Sequence, residues 1–336
     1  MAQDSGSIAV PAAGGGGEIP PAAASSSERR VHRGWNVGDF VFKNLTMLFA
    51  IGVLSLVFLM GYEMYAGSGP SLAKFGWHFL VSSTWDPVRE QYGALPLIFG
   101  TVVSSLLGLL IALPLSLGVA MFLSELAPRW LERPLSFLVE LLAAIPSIVY
   151  GLWGVFVLVP WLRVTVEPWL RTHFGYIPLF TGPGYGFGML AAGLILSVMV
   201  LPIIASISRD VMRSVPNLQR EAALGLGATR WETTKVILST ARSGILGATL
   251  LGLGRAVGET MAVTLVIGNR AQVAASLFAP GYSMASVLAN EFAEATSDMY
   301  TSALIEVALV LFVVTLVLNA LARLIVWSVT RRYAAS

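Results

Sequence analysis

Six apolar runs divide the chain, near residues 42–61, 96–123, 135–160, 187–208, 244–267 and 302–327. Each is long enough to cross about 30 Å of hydrocarbon at about 1.5 Å per residue. Lipid offers no water to an unpaired strand edge, so the pattern predicts an all-α integral membrane protein with six transmembrane helices. Prolines fall inside three of the runs, at Pro114, Pro146 and Pro202. Each removes a backbone donor and crowds the turn before it. Broken helices at membrane depth are tolerated where they line a cavity. Pro146 is expected to mark such a place, because Ser147 and Tyr150 follow it on the same helix.

The polar stretch 209–243 is too long for a plain connector. Pro216 can open a helix there, and Glu221, Ala222, Ala223 and Leu224 suit one. Gly225 and Gly227 break it, and Thr229 can cap a second helix with Glu232 three residues on. The expectation is two short helices joined by a glycine turn. Ahead of the first apolar run, residues 1–28 are rich in Ala, Gly, Ser and Pro. That composition cannot offset the entropy of ordering, so a disordered tail is expected up to about residue 40, with the membrane domain over 41–330.

Composition sharpens this picture. Of 336 residues, 56% are hydrophobic and 12% charged, about half the charged share of a soluble domain. A formal net charge of +2 gives no reason to expect a nucleic-acid partner. With no cysteine, disulfides, thiolate catalysis and zinc–thiolate sites are excluded. His32, His78 and His173 share no metal-ligand spacing, so neither metal nor cofactor is expected. No Ser/His/Asp or paired-carboxylate constellation stands out, so no enzyme is expected, and Glu140 and Glu306 read as span-end charges. Placement of the cations sets orientation. Fifteen Lys and Arg residues fall on the side of both termini and of 209–243, against five on the other. The positive-inside rule puts both termini and that loop in the cytoplasm.

One further cation, Arg255, falls inside the fifth run. At the bilayer centre an arginine costs about 2.5–3.5 kcal/mol even on the gentler insertion scale. Glu259, four residues on, is the expected partner on the same helix face. A buried ion pair could serve packing alone. Alternatively Arg255 offers a planar fork of donors to a passing oxyanion, with Glu259 steadying and partly neutralising it. A secondary transporter, a channel, and a scaffold that reports to a signalling partner remain open at this point.

Glu221-Ala222-Ala223, three residues and then Gly227 resembles the EAA signature of ABC-importer permeases, the loop that docks on a cytoplasmic ATPase. Where that pattern continues to Leu-Pro, this chain has Ile237-Leu238-Ser239-Thr240. Three other stretches narrow the likeness: Tyr92 to Ile98, Ile145 to Gly151, and Gly254 to Ala262. Together they resemble the C-type permease subunits of high-affinity phosphate importers, over roughly residues 40–330. The resemblance implies a six-helix type I importer fold in a bacterial inner membrane. It implies Arg255, Glu259 and Thr260, with Ser147 and Tyr150, along a phosphate pathway. It also implies three kinds of partner: a homologous A-type permease, two copies of an ATPase, and an extracytoplasmic phosphate-binding protein. The chain has no G-x-x-x-x-G-K-[ST] loop, so ATP hydrolysis is expected on the partner ATPase.

Overall fold

The computed structural model describes residues 37–334. Thus residues 1–36, most of the expected tail, lie outside the described residues; 37–40 are already helical. The chain forms two compact units, 1–55 and 56–336. Of the first, the described part is the opening of helix α1 (Val37–Gly67), where every described side chain is exposed. A helix apolar all round and uncovered is suited to lipid, not water.

The second unit continues through α2 (Gly69–Phe75), α3 (His78–Val81) and α4 (Leu95–Met121). Then come α5 (Arg129–Ala144), α6 (Ser147–Trp153), α7 (Val159–Trp161) and α8 (Glu167–Phe174), with π-turns on either side of α7. The last are α9 (Met189–Arg213), α10 (Asn217–Gly225), α11 (Arg230–Val257), α12 (Met261–Val266), α13 (Met284–Glu291) and α14 (Asp298–Ala334). Among the described residues six segments are long and apolar enough to cross a membrane: Gly38–Gly67, Leu95–Leu126, Ser147–Phe174, Met189–Arg213, Arg230–Val257 and Asp298–Leu324.

Two of these depart from the sequence expectation. The third span begins at Ser147, not near 135. Ile145 and Pro146 are extended, as the residue before a proline prefers, and they part α5 from α6. α5 buries none of its residues and is amphipathic, a separate helix ahead of the span. The fifth span begins at Arg230, where Thr229 and Glu232 form a full capping box, and stops at Val257. The second loop helix is therefore not short; it runs on into the span. Pro114 and Pro202 sit inside unbroken helices, α4 and α9, so of the three prolines only Pro146 marks a break.

α9 is the axis of the second unit. Two-thirds of its apolar window is buried, with Ile195, Leu196, Val200 and Ile204 almost fully enclosed. It lies tightly on α4. A Cβ at Gly108 would come within 2.7 Å of the Leu196 Cβ, and one at Gly193 within 2.6 Å of Leu107. Small residues on facing helices let backbones approach where no hydrophobic drive exists between them. Ser116 of α4 adds a hydrogen bond to the Leu201 carbonyl, 3.0 Å. Gly108→Val is therefore expected to cost about 1–3 kcal/mol by overpacking. It should lower the midpoint of thermal unfolding in detergent, and an unchanged midpoint would show that the two helices can separate freely.

A second core gathers Tyr92, Leu97, Tyr282, Met284, Tyr300 and Leu304. Tyr92 stacks on Tyr300 at 5.6 Å and meets Trp85 edge-on at 5.1 Å. Burial, and then the carboxylates of Glu90, Glu291 and Asp86, push the Tyr92 hydroxyl up to about 12. The stretch from Tyr92 to Ile98 is thus a packing element. Glu140 and Glu306 are not plain span-end charges. Glu140 pairs with Arg209 of α9 at 3.0 Å, and Glu306 is 2% exposed within α14.

Candidate functional site

The fifth span ends at a break. Gly254 and Gly258 are poor helix residues, and Gly258 closes α11 by donating to the Gly254 carbonyl at 3.3 Å. The chain passes through Glu259 and Thr260 and restarts as α12. Glu259 is buried, and its Oε1 accepts from the Ala262 amide at 3.3 Å, so the carboxylate serves the opening of α12. The Thr264 hydroxyl donates back to the Thr260 carbonyl at 2.7 Å.

Arg255 lies in the last turn of α11 and is exposed. No carboxylate stands within ion-pair distance of it among the described residues, and Glu259 is no exception. The expected ion pair is not formed, and the reason is local. An i, i+4 pair needs an unbroken helix, and this helix stops at Val257, between the two residues. The guanidinium is left as an open positive site at the helix break, rather than a neutralised one at mid-helix.

α6 packs on α12, beyond the break. Tyr150 is buried and donates to the Leu142 carbonyl of α5 at 2.7 Å. Gly151 brings α6 onto α12, where a Cβ would approach the Ala262 Cα at 3.0 Å. Ser147, one helical turn before Tyr150, is partly exposed at the start of α6 after the Pro146 break. The structure thus packs α6, with Tyr150, against α12 and places Glu259 and Thr260 at the break between α11 and α12. It gives Ser147 no direct contact with Arg255. Beyond the far end of α12 opens a cleft of ≈ 490 Å³ lined by Tyr185, Thr264, Asn269 and the exposed Arg270.

A second candidate surface lies at the other end of α11. Glu221 and Ala222 are exposed on α10, Ala223 is half-buried, and Gly227 turns the chain with φ +85°. That φ strains any side chain, and no neighbour lies near it, so conformation alone demands glycine there. Leu218, Leu224 and Leu226 are 74%, 51% and 91% exposed beside them. These leucines leave an apolar patch around one short helix, of the kind that a partner protein or a membrane surface covers.

Sequence reasoning missed the ion pairs that fasten this end together. Arg220 of α10 pairs with Glu125 beyond α4 at 2.9 Å. Arg213 pairs with Glu132, and Arg209 with Glu140. The signal present was two glutamates, at 125 and 132, in the connection assigned to the arginine-rich side, with Glu140 just inside the following run.

Residues 104–331 match the family described as binding-protein-dependent transport system inner membrane component. The chain is 47% identical to the phosphate transport system permease protein PstC of Mesorhizobium japonicum, covering 90% of this chain and 94% of that one. It is also 47% identical to the protein of that name from Haemophilus influenzae, covering 85% and 92%. With the probable phosphate transport system permease protein PstC of Methanocaldococcus jannaschii it shares 39%, covering 84% and 91%. A solved chain of the MetNI methionine ABC transporter, inward facing, aligns with a TM-score of 0.46 at 22% identity, covering 72% of this chain and 95% of that one. Six apolar helices and these relatives describe a multi-pass inner-membrane permease subunit rather than an enzyme. The chain belongs to the binding-protein-dependent transport system inner membrane components and, within them, to the family of the phosphate transport permease proteins.

Proposed function

We propose that this chain forms half of the translocation pathway of an ATP-driven phosphate importer, and that phosphate passes close to Arg255. The observation that carries this is the exposed guanidinium at the α11–α12 break, with no carboxylate in ion-pair distance among the described residues. Guanidinium offers paired donors in a plane that matches the oxygens of phosphate. A helix broken at membrane depth is where transporters place their binding groups. Relatives nearly half identical over most of the chain carry phosphate transport in their names.

Orientation follows the distribution of Lys and Arg, with both termini and the loop 209–243 cytoplasmic. In this frame α10, with Glu221, Ala222, Ala223 and the Gly227 turn, docks on one of two ATPase copies. A homologous A-type permease supplies the other half of the pathway. A phosphate-binding protein delivers from the opposite side, where the cleft at Arg270 offers an approach. ATP binding draws the ATPases together and opens the pathway to the binding protein; hydrolysis resets it inward. Tyr150 and Thr260 flank the passage, and Glu259 holds the break in shape by engaging the Ala262 amide. Ser147 lies one turn along α6 from Tyr150.

The test is uptake into proteoliposomes holding the complete complex, with binding protein and labelled phosphate outside and ATP enclosed. Uptake should require both ATP and the binding protein. A hundredfold excess of sulfate or of a phosphonate should leave it within twofold. Competition by sulfate or phosphonate would reassign the permease to that oxyanion, and uptake without ATP would make it a secondary transporter or channel.

A further inference from the structure

Arg220 is a fully engaged side chain on α10. A guanidinium carries five N–H donors, and all five are engaged here. Its Nε donates to Glu125 Oε2 at 3.2 Å and its Nη2 to Glu125 Oε1 at 2.9 Å, a bidentate pair between residues 95 apart in sequence. Its Nη2 also reaches the Met212 carbonyl at 2.9 Å, while Nη1 reaches the Val215 carbonyl at 2.6 Å and Asn217 Oδ1 at 3.2 Å. The Arg220 side chain is 19% exposed and that of Glu125 is 11%. This is neither the solvated surface pair that contributes little nor a general packing contact.

Three elements meet at this one group. Glu125 belongs to the π-turn 122–126 that ends α4. Met212 lies in the last turn of α9, with Val215 two residues past its end, and a cation beside the last carbonyls of a helix is favourable. Arg220 itself is on α10, one residue before the exposed Glu221. α4 and α9 are already held as one body by the Gly108 and Gly193 approach and by Ser116. At its other end α9 is bonded to the broken segment: the Gly188 amide donates to the Val266 carbonyl of α12 at 3.0 Å. The packed pair of helices therefore runs from Arg220 to the far end of α12, the helix that follows Glu259 and Thr260.

We infer that Arg220, held by Glu125, is a positioning residue for coupling: it locks α10 to the ends of α4 and α9, so that movement of the docking helix becomes movement of the α4–α9 pair and of α12. This rests on the docking role proposed for α10. The other ties of α10 are slight: residues 214–216 link it to α9, the Gly225–Gly227 turn links it to α11, and the Thr240 hydroxyl of α11 donates to Gln219 Oε1 at 3.0 Å, an exposed contact; none of these fixes its rotation as the five bonds of Arg220 do. Without the lock, α10 can rotate between the Gly225–Gly227 turn and the 214–216 link with less movement passed to α4 and α9.

The chain has no cysteine, which makes the test clean. Two variants are compared with wild type in the reconstituted complex: Glu125→Gln, and the double variant Glu125→Cys with Arg220→Cys. The latter is measured before and after tethering with a short bifunctional thiol reagent, since a Glu–Arg pair holds its backbones further apart than a disulfide spans. Three quantities are read: ATPase retained by the complex, ATP hydrolysed, and labelled phosphate moved per ATP. The expected result is retained ATPase, at least a fivefold fall in phosphate per ATP for both variants, and recovery to within twofold once the tether is in place. Phosphate per ATP that stays normal in both variants overturns the inference, and so does a tether that restores nothing. Loss of ATPase from the Glu125→Gln complex also overturns it, because the pair would then only hold the loop's shape. Failure of the docking reading is seen separately, as ATPase retention and uptake that ignore Glu221→Lys.

Discussion

Arg255→Gln is expected to lower phosphate uptake by about a hundredfold while the complex assembles normally. Two charge-assisted hydrogen bonds to an oxyanion are worth about 1.5–3 kcal/mol each, and about 3 kcal/mol of lost stabilisation is about a hundredfold in rate. Because Arg255 is exposed and pairs with no carboxylate among the described residues, its replacement orphans no buried charge there, and folding should be little changed. Arg255→Lys keeps the charge but not the planar fork, and an intermediate loss of about tenfold is expected. Glu259→Gln is the telling comparison. Its amide oxygen can still accept from the Ala262 N–H, so the break is preserved and uptake should fall less than about fivefold. Equal and large losses in Arg255→Gln and Glu259→Gln would mean that the two side chains act as a pair. Normal uptake in Arg255→Gln would remove Arg255 from the pathway altogether. The measurement is initial uptake of labelled phosphate, with ATPase retention checked on the same preparations.

That comparison matters because the pair was the natural reading of the sequence. Spacing by four places two side chains on one face only if the helix continues, and hydropathy does not report whether it does. The run 244–267 stays apolar across Gly258–Thr260, so a hydropathy window passes over the break. Ile145 and Pro146 had the same effect on the third run, where an amphipathic helix and a span were merged into one. Where no break intervenes, as in the second, fourth and sixth runs, the apolar pattern and the helices agree to within a few residues. The capping box at Thr229 and Glu232 was legible because it is local: both halves lie within one helical turn. The Arg220–Glu125 pair was not, because 95 residues separate its members and neither sequence neighbourhood hints at the other. The candidate site was legible in part. Its residue types point to an oxyanion, but the contact of α6 with α12 at Gly151, and the turning of Glu259 away from Arg255, are products of packing.

Glu221→Lys is expected to reduce uptake by at least about fiftyfold, and for a different reason than Arg255→Gln. Glu221 is exposed on α10, between Leu218 and Leu224, and stands in no ion pair among the described residues. An exposed substitution of this kind changes fold stability by no more than about 0.5 kcal/mol, so the permease itself should fold and insert as before. What changes is the surface offered to a partner. Around a carboxylate, half-buried Ala223 and exposed Ala222 keep the helix face thin, and the three leucines supply the apolar area. Reversing one charge at the centre of such a patch sets like charge against whatever basic group the carboxylate meets, a cost of several kcal/mol. About 2.5 kcal/mol already corresponds to roughly seventyfold in affinity. The ATPase should therefore be lost from detergent-purified complex at micromolar concentration, and ATP hydrolysis should no longer respond to the phosphate-loaded binding protein. Ala222→Asp, which adds a charge on the same face without touching Glu221, should act in the same direction. If both variants keep their ATPase and transport at the normal rate, α10 is not the docking helix, and the exposed leucines around it must meet another partner.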